Sequence, residues 1–346
     1  MSTVTAESSA GHRQSTGPSR GPSTFRKVAS LLTIAAGVVL LASTFMNNLF
    51  AVGPAFEDLI DDFRPLIAQE SLDTAKADVA SLAAVGDEFQ STMGPALAQQ
   101  MGLSPDDFSG MMSDQFPAVS DGMAAIPEVA PTFDGLLTTL QTQQPLFESA
   151  DAIPTEGLPA TTVPWMMLIA GIAAIIVGIL IWVTTRTGAI LALGLGAVLA
   201  LAPLALSLPQ KAADADQLNA NLKPVYTQQL VDQAAGAVAV VGAMGEQMQT
   251  TMLPALAEQL GMAPDELNAM IGEQFPAVAS ALQTLPDSMA RFQGLVTVFD
   301  QNLANYETIT GVSFVPIIWT MIGAGVVVFL AGLLGLFGRP RQTQPA

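Results

Sequence analysis

The sequence has no cysteine, and its 346 residues include only one histidine, His12. The absence of cysteine excludes disulfides, thiol catalysis and thiolate metal sites, so any folded part must be held together by apolar packing. His12 lies in a Ser-, Gly- and Pro-rich amino-terminal segment where we expect disorder. The sequence also contains no Ser/His/Asp set, no G-x-S-x-G, no glycine-rich phosphate loop and no zinc motif. We therefore expect a protein that is not an enzyme and that uses no cofactor.

Positive charge is scarce as well. The chain has 12 Lys and Arg residues against 30 Asp and Glu residues, and its formal net charge is -18. Such a charge argues against nucleic acid as a partner, because the polyanion would be repelled. It is compatible with solubility, with cations or with basic partners.

Four apolar runs contain no Asp, Glu, Lys, Arg or His, and each reaches the roughly 20 residues that cross a bilayer. They cover 28–46, 164–184, 188–208 and 315–337. The basic residues around them fall on one side if each run crosses once, so the positive-inside rule places both termini in the cytoplasm. These residues are Arg13, Arg20, Arg26, Lys27, Arg186, Arg339 and Arg341. Every acidic residue except Glu7 then lies on the other side, and we expect a multi-pass protein of the plasma (inner) membrane.

This topology divides the chain into eight segments. In chain order they are a disordered cytoplasmic tail (1–27), a retained first span (28–49), an extracytoplasmic domain (50–163), a second span (164–185), a short cytoplasmic joint with the third span (186–208), a second extracytoplasmic domain (209–314), a fourth span (315–337) and a cytoplasmic tail (338–346).

An internal repeat organises these segments. The stretch "DQFPAV" at 114–119 returns as "EQFPAV" at 273–278, and the ungapped comparison of 86–140 with 245–299 gives 23 identical residues in 55. The spans correspond as well, since Gly37 matches Gly196, and Gly171 matches Gly325 at a slightly shorter offset. The sequence therefore predicts a tandem duplication of one unit (span, ectodomain, span). The two halves should be related by a pseudo-twofold axis along the membrane normal.

Helical periods recur in both copies, and strand-like alternation occurs in neither. Ser104 can cap a helix that begins at Pro105, while its counterpart Ala263 cannot. The fold class is therefore an all-α integral membrane protein with four transmembrane helices and two homologous helical-bundle ectodomains. We expect turns near 102–104, 116–117 and 126–127, and at the equivalent positions 159 residues later.

Several patterns could carry chemistry, but each has a plainer interpretation. The pairs Asp106–Asp107 and Asp265–Glu266 could bind calcium or transfer protons, yet the first turn of a helix favours acids in any case. The acids of "EDLIDDF" (57, 58, 61 and 62) could bind a cation, yet the equivalent "DQLNANL" keeps only Asp216. Met244, Met248 and Met252 could offer thioethers to copper(I), yet their counterparts include Val85 and Phe89, so the shared property is apolarity. We predict no metal site.

Two motifs remain as candidate contact sites. Gly188, Ala192, Gly196 and Ala200 form a stripe of small residues that favours close helix packing, either within the four-span bundle or at a dimer face. Phe116 and Pro117, with Phe275 and Pro276, form either a buried helix junction or a duplicated surface for a partner. The first interpretation of each motif is the simpler one. The sequence leaves homo-oligomerisation open.

The alanine-rich, lysine-poor composition is typical of a bacterial cell-envelope protein. We expect a non-enzymatic membrane protein, embedded in the lipid bilayer, whose acidic ectodomains bind an envelope protein or a lipid. The alternative is a membrane subunit of a transport complex that a separate polypeptide energises.

Overall fold

The computed structural model describes residues 24–155 and 157–337. The two predicted tails fall largely on residues 1–23 and 338–346, so His12, Arg13, Arg20, Arg339 and Arg341 lie outside the described residues. Within the described part, the chain is almost entirely helical and forms no strand, which confirms the predicted all-α class.

The helices follow one another with short connections. Their bounds are α1 Thr24–Met46, α2 Leu49–Ile67, α3 Gln69–Glu88, α4 Gly94–Met101, α5 Pro105–Gln115, α6 Pro117–Asp151, α7 Thr162–Val183, α8 Thr185–Ala205, α9 Leu208–Leu222, α10 Gln228–Gln247, α11 Leu253–Leu260, α12 Pro264–Gln274, α13 Pro276–Thr310 and α14 Phe314–Phe337. One π-helical turn, Phe89–Met93, joins α3 to α4, and another, Met248–Met252, joins α10 to α11.

Four of these helices, α1, α7, α8 and α14, are long and apolar enough to span a membrane, as the sequence predicts. They pack in two antiparallel pairs, α1 with α7 and α8 with α14, and the pairs meet where α1 contacts α14 and α7 contacts α8. Glycines permit the close approach within each pair. A Cβ added to Gly37 would lie 2.6 Å from the carbonyl oxygen of Gly171, and one added to Gly325 would lie 2.6 Å from the backbone nitrogen of Ala200.

The remaining helices, α2–α6 and α9–α13, form what we call the helical body. The sequence predicts a separate bundle in each half of the chain, but the structure packs both halves around two shared cores. We call the larger one, which contains Phe116 and Phe275, the common core. Helix α6 contacts α3 of its own half and also α9 and α10, while α13 contacts α10 of its own half and also α2 and α3. The apolar face of each long helix is therefore covered from both halves, which buries more apolar surface than two small bundles could.

Three of the predicted turn positions can be compared with the helix ends. Gly102 directly follows α4 and Gly261 directly follows α11, and both glycines adopt the left-handed conformation that glycine permits. The breaks at Phe116 and Phe275 are also present. The turns predicted at 126–127 and 285–286 are wrong, because α6 continues through Pro127 and α13 through Pro286. A proline removes one hydrogen bond from a helix, and packing along a helix of 35 residues outweighs that loss.

The first span of each half, α1 or α8, joins the helical body through the same backbone turn. Asn48 precedes α2 and Ser207 precedes α9, and both residues have positive φ values, 48° and 55°. The two positions are 159 residues apart, like the members of the sequence repeat. A left-handed conformation is uncommon for residues other than glycine, so its presence at both positions shows that the two joints are built alike.

Candidate interaction surface

The end of the helical body farthest from the spans carries its most one-sided charge. Helix α6 leads into α7, and its first residue lies about 50 Å from its last, given 1.5 Å per residue. We call residues 86–126 and 245–285, which surround the starts of α6 and α13, the distal end. The distal end contains eleven acidic residues and no Lys, Arg or His. All of these acids except the half-buried Glu88 are exposed.

One residue of each acid pair at the starts of α5 and α12 takes part in helix capping. The Ser104 hydroxyl oxygen accepts a hydrogen bond from the backbone N–H of Asp107 at 3.2 Å, as predicted. In the second half, Ala263 cannot accept such a bond, and the carboxylate of Glu266 instead accepts from the backbone N–H of Ala263 at 3.0 Å. Both arrangements satisfy a free donor at the amino-terminal end of a helix.

The acids of "EDLIDDF" do not converge on one point. Asp61 forms an ion pair with Arg64 at 2.9 Å, whereas Asp62 accepts a hydrogen bond from the buried amide of Asn302 at 2.8 Å. The carboxylate of Glu57 accepts from the backbone N–H of Thr161 at 3.3 Å, beside the start of α7. Among the described residues, no group of three His, Asp or Glu side chains could hold a metal ion. The three methionines whose thioethers could bind copper(I), Met244, Met248 and Met252, are buried in the common core of the helical body.

The "QFPAV" motifs lie where the two halves of the chain contact each other. Phe116 is 4% exposed and Phe275 is 2% exposed, and both belong to the common core. The prolines that follow them, Pro117 and Pro276, are exposed and begin α6 and α13. The burial favours the core interpretation for the phenylalanines and leaves only the prolines accessible to a partner.

The valine of each motif makes a hydrogen bond to the other half of the chain. The backbone N–H of Val119 donates to the side-chain oxygen of Gln247 at 3.0 Å. The backbone N–H of Val278 donates to the carboxylate of Glu88 at 2.8 Å. Glu88 and Gln247 are 159 positions apart, as are the valines, so one contact is made twice in reciprocal directions. The repeated motif thus supplies the start of each long helix and a donor to the opposite half.

Nearer the spans, a second reciprocal contact joins the halves. Asn302 of α13 donates to Asp62 of α2, and Asn221 of α9 donates to the side-chain oxygen of Gln143 in α6 at 2.7 Å. Asp62 is equivalent to Asn221, and Gln143 is equivalent to Asn302. Asn302 and Gln143 are both buried, so these bonds satisfy amides that would otherwise be costly to desolvate.

Comparison with family models, with curated proteins and with solved structures finds no match. The candidate surface must therefore be judged from its own chemistry.

The small-residue stripe on α8 faces other helices of the same four-span bundle. A side chain on Gly196 would collide with the backbone of Phe329 in α14, and one on Gly188 would lie 2.5 Å from the backbone nitrogen of Ile181 in α7. Ala192 is fully buried, and Ala200 lies against Gly325. The stripe is thus covered within the chain.

An aromatic cluster lies in the smaller of the cores that both halves of the helical body share. Tyr226 packs against Phe63 and Phe299, and its hydroxyl donates to the carbonyl oxygen of Phe299 at 2.8 Å. The Tyr306 hydroxyl donates to the carbonyl oxygen of Asn219 at 3.1 Å. Burial raises the pKa of Tyr306 to about 12 and raises the pKa of Tyr226 further. Both hydroxyls therefore stay neutral and act as structural donors.

Sequence reasoning missed a pair of carboxylates that tie the helical body to the spans. Asp216 of α9 accepts hydrogen bonds from the backbone N–H groups of Phe314 and Val315, at 2.8 and 3.2 Å, at the start of α14. Glu57, its equivalent, occupies the corresponding place at α7. The signal was available, because Asp216 is the one acid of its stretch that the second copy retains.

Proposed function

We propose that this protein is a tandemly duplicated membrane protein of the bacterial cell envelope. Its helical body stands outside the plasma membrane and binds an envelope partner. The observation that carries the proposal is the charge separation along the molecule. Within the part of the chain that the structure describes, the helical body holds every acidic residue, whereas Arg26 and Arg186 flank the opposite ends of the spans. A helical body of this charge, standing on an apolar four-helix bundle, is suited to presenting a surface to a basic partner.

The reciprocal contacts support the duplication and a pseudo-twofold relation of the halves. In an interface between identical partners, every contact of residue i with residue j is matched by one of j with i. Glu88 with Val278 and Gln247 with Val119 follow this rule, and so do the amide contacts near the spans. We therefore propose that the two halves of the chain act as one rigid docking unit rather than as two separate ectodomains.

The interior of the four-span bundle favours an anchoring role over transport. Its buried hydroxyls donate to backbone carbonyls of the spans: Ser30 to Gly178 at 2.7 Å, Thr33 to Ala29 and Thr44 to Leu40, both at 2.9 Å. Arg26 donates to the carbonyl oxygens of Ile181 and Trp182 at the end of α7, where a cation stabilises the helix dipole. Ser30 and Arg26 thus join α1 to α7, whereas Thr33 and Thr44 bond within α1. The glycine contacts bring the helices into close packing.

In-cell crosslinking tests the proposal. A photo-crosslinking residue replaces the exposed Asp114 at the distal end, with Thr138 on the side of α6 as the matched exposed control. We expect one predominant envelope partner from Asp114 and none from Thr138. Capture of an ATPase from Thr187, in the first turn of α8, would instead indicate a subunit of a transport complex.

A further inference from the structure

An open groove lies at the distal end of the first half of the chain. A glycine that lines it is replaced by a leucine at the equivalent position of the second half. The groove has a volume of about 320 Å³, and its walls include Phe89, Phe108, Met112 and Met123. Gly94 also lines the groove. The residue equivalent to Gly94 is Leu253, whose side chain packs against the common core. A groove of this size falls at the lower end of the range of about 300–1,000 Å³ that is typical of ligand pockets.

The surroundings of the groove determine what it can accept. Asp106 follows the lining residue Pro105, and Asp121 follows the lining residue Ser120, and both carboxylates are exposed. No basic residue occurs anywhere in 86–126 or 245–285 to neutralise them. An anionic or neutral apolar occupant would gain nothing from this field, whereas a cationic one would be attracted and held.

We propose that the groove docks a basic amphipathic segment of a partner protein. The segment would place a large apolar side chain between Phe89 and Phe108, and would set Lys or Arg side chains beside Asp106 and Asp121. A protein segment fits better than a small cation, because the field of exposed carboxylates extends over both halves of the distal end, beyond the reach of a small molecule. This inference rests on the proposed function, since the distal end must be accessible outside the membrane.

The second half of the chain suggests a substitution that would fill the groove, because it carries Leu253 at the position equivalent to Gly94. Leu253 follows a π-helical turn in the same helical conformation as Gly94, and its backbone N–H donates to Met248 as that of Gly94 donates to Phe89. A Cβ on Gly94 would lie 3.7 Å from the ring of Phe108 and 3.0 Å from the carbonyl oxygen of Phe89. Gly94→Leu should therefore fold and fill the groove.

A unique fluorophore reports occupancy, because the chain has no cysteine of its own. Ser109→Cys places an environment-sensitive dye at the groove of the full-length protein in zwitterionic nanodiscs. Asn268→Cys places the same dye at the equivalent exposed site of the second half. The probe is a Lys/Leu amphipathic peptide of about 14 residues, or four helical turns. A Lys/Ser peptide of equal charge and a Glu/Leu peptide of equal apolar content serve as controls.

We expect the Lys/Leu peptide to give a saturable signal at Ser109→Cys. Salt should lower the affinity of the peptide, and Gly94→Leu should lower it at least about tenfold. The signal at Asn268→Cys should be smaller and insensitive to Gly94→Leu. Equal binding of the Lys/Ser peptide, or an unchanged affinity in Gly94→Leu, would overturn the groove as the site. A partner captured from Asp114 in cells without any peptide signal at Ser109→Cys would also overturn the groove, and would leave the proposed function standing.

Discussion

Phe133 and Phe292 occupy equivalent positions of the repeat, 159 residues apart, and meet edge to face with ring centroids 5.2 Å apart. A residue can contact its own equivalent only close to the axis that relates the two halves. In the proposed pseudo-twofold arrangement, the aromatic pair therefore lies beside the axis of the helical body. Around it, α3 and α6 of one half interlock with α10 and α13 of the other, so the two halves contribute to one common core.

The reciprocal bonds at the starts of α6 and α13 can be tested by substitution. Glu88→Ala removes the acceptor for the backbone N–H of Val278, and Gln247→Ala removes the acceptor for Val119. We expect each change to lower the free energy of unfolding by about 1 kcal/mol, measured by chemical unfolding of the full chain in detergent. Glu88→Gln is the control, because glutamine performs this role in the other half, and it should retain most of the stability. An equal loss in Glu88→Gln and Glu88→Ala would contradict the hydrogen-bond account.

Phe275 and Pro276 are adjacent, yet they should respond differently to truncation. Phe275→Ala removes a buried ring from the common core and should cost roughly 3–5 kcal/mol. Pro276→Ala changes an exposed first position of α13 and should cost no more than about 1 kcal/mol. Thermal unfolding of the full-length protein measures both. A melting temperature unaffected by Phe275→Ala would show that the ring is not part of the core.

Glycines in the spans should tolerate substitution according to what faces them. Gly37→Ala would place a methyl group 2.6 Å from the carbonyl oxygen of Gly171 and should separate α1 from α7, at a cost of about 1–3 kcal/mol. Gly194→Ala is the matched control in α8, because nothing lies within 4 Å of an added Cβ there. Unfolding in a lipid-like detergent, followed by circular dichroism, measures both. Equal effects would contradict the close packing of the spans.

The buried tyrosines predict a loss of stability at alkaline pH. The folded-state pKa of Tyr306 is raised to about 12, above the ordinary value near 10, so the folded form retains its proton where the unfolded form has lost it. The free energy of unfolding keeps its full value below pH 10. It falls by up to about 2 kcal/mol as the pH rises through about 12. Tyr306→Phe should reduce this dependence to the contribution of Tyr226 in denaturant titrations between pH 9 and about 12. The same slope in wild type and variant would assign it to other groups.

Much of this fold follows from local patterns in the sequence. The spans are visible because apolar runs of that length have few alternatives, and Ser104 and Gly102 mark helix ends through the conformations they permit. The errors at Pro127 and Pro286 arose because a proline is a local signal. Helices α6 and α13 continue through these prolines because contacts from both halves stabilise them along their length.

The partners across the core could not be predicted in the same way. Periodicity shows that Phe133 lies on an apolar helix face, but it does not reveal that Phe292 covers that face rather than a residue of its own half. The reciprocal bonds of Glu88 and Gln247 depend on that same exchange. The groove was missed because a glycine at position 94 is informative only beside the leucine at position 253, in a structure that shows what the leucine packs against.

The side of the membrane on which the helical body stands is the central claim, and cysteine labelling measures it directly. Ser109→Cys places a single thiol at the distal end, and Thr187→Cys places one in the first turn of α8, both at exposed positions of a chain without native cysteine. A membrane-impermeant maleimide applied to intact cells should label Ser109→Cys at once and Thr187→Cys only after permeabilisation. Labelling of Thr187→Cys alone in intact cells would place the acidic helical body in the cytoplasm and contradict the proposed function.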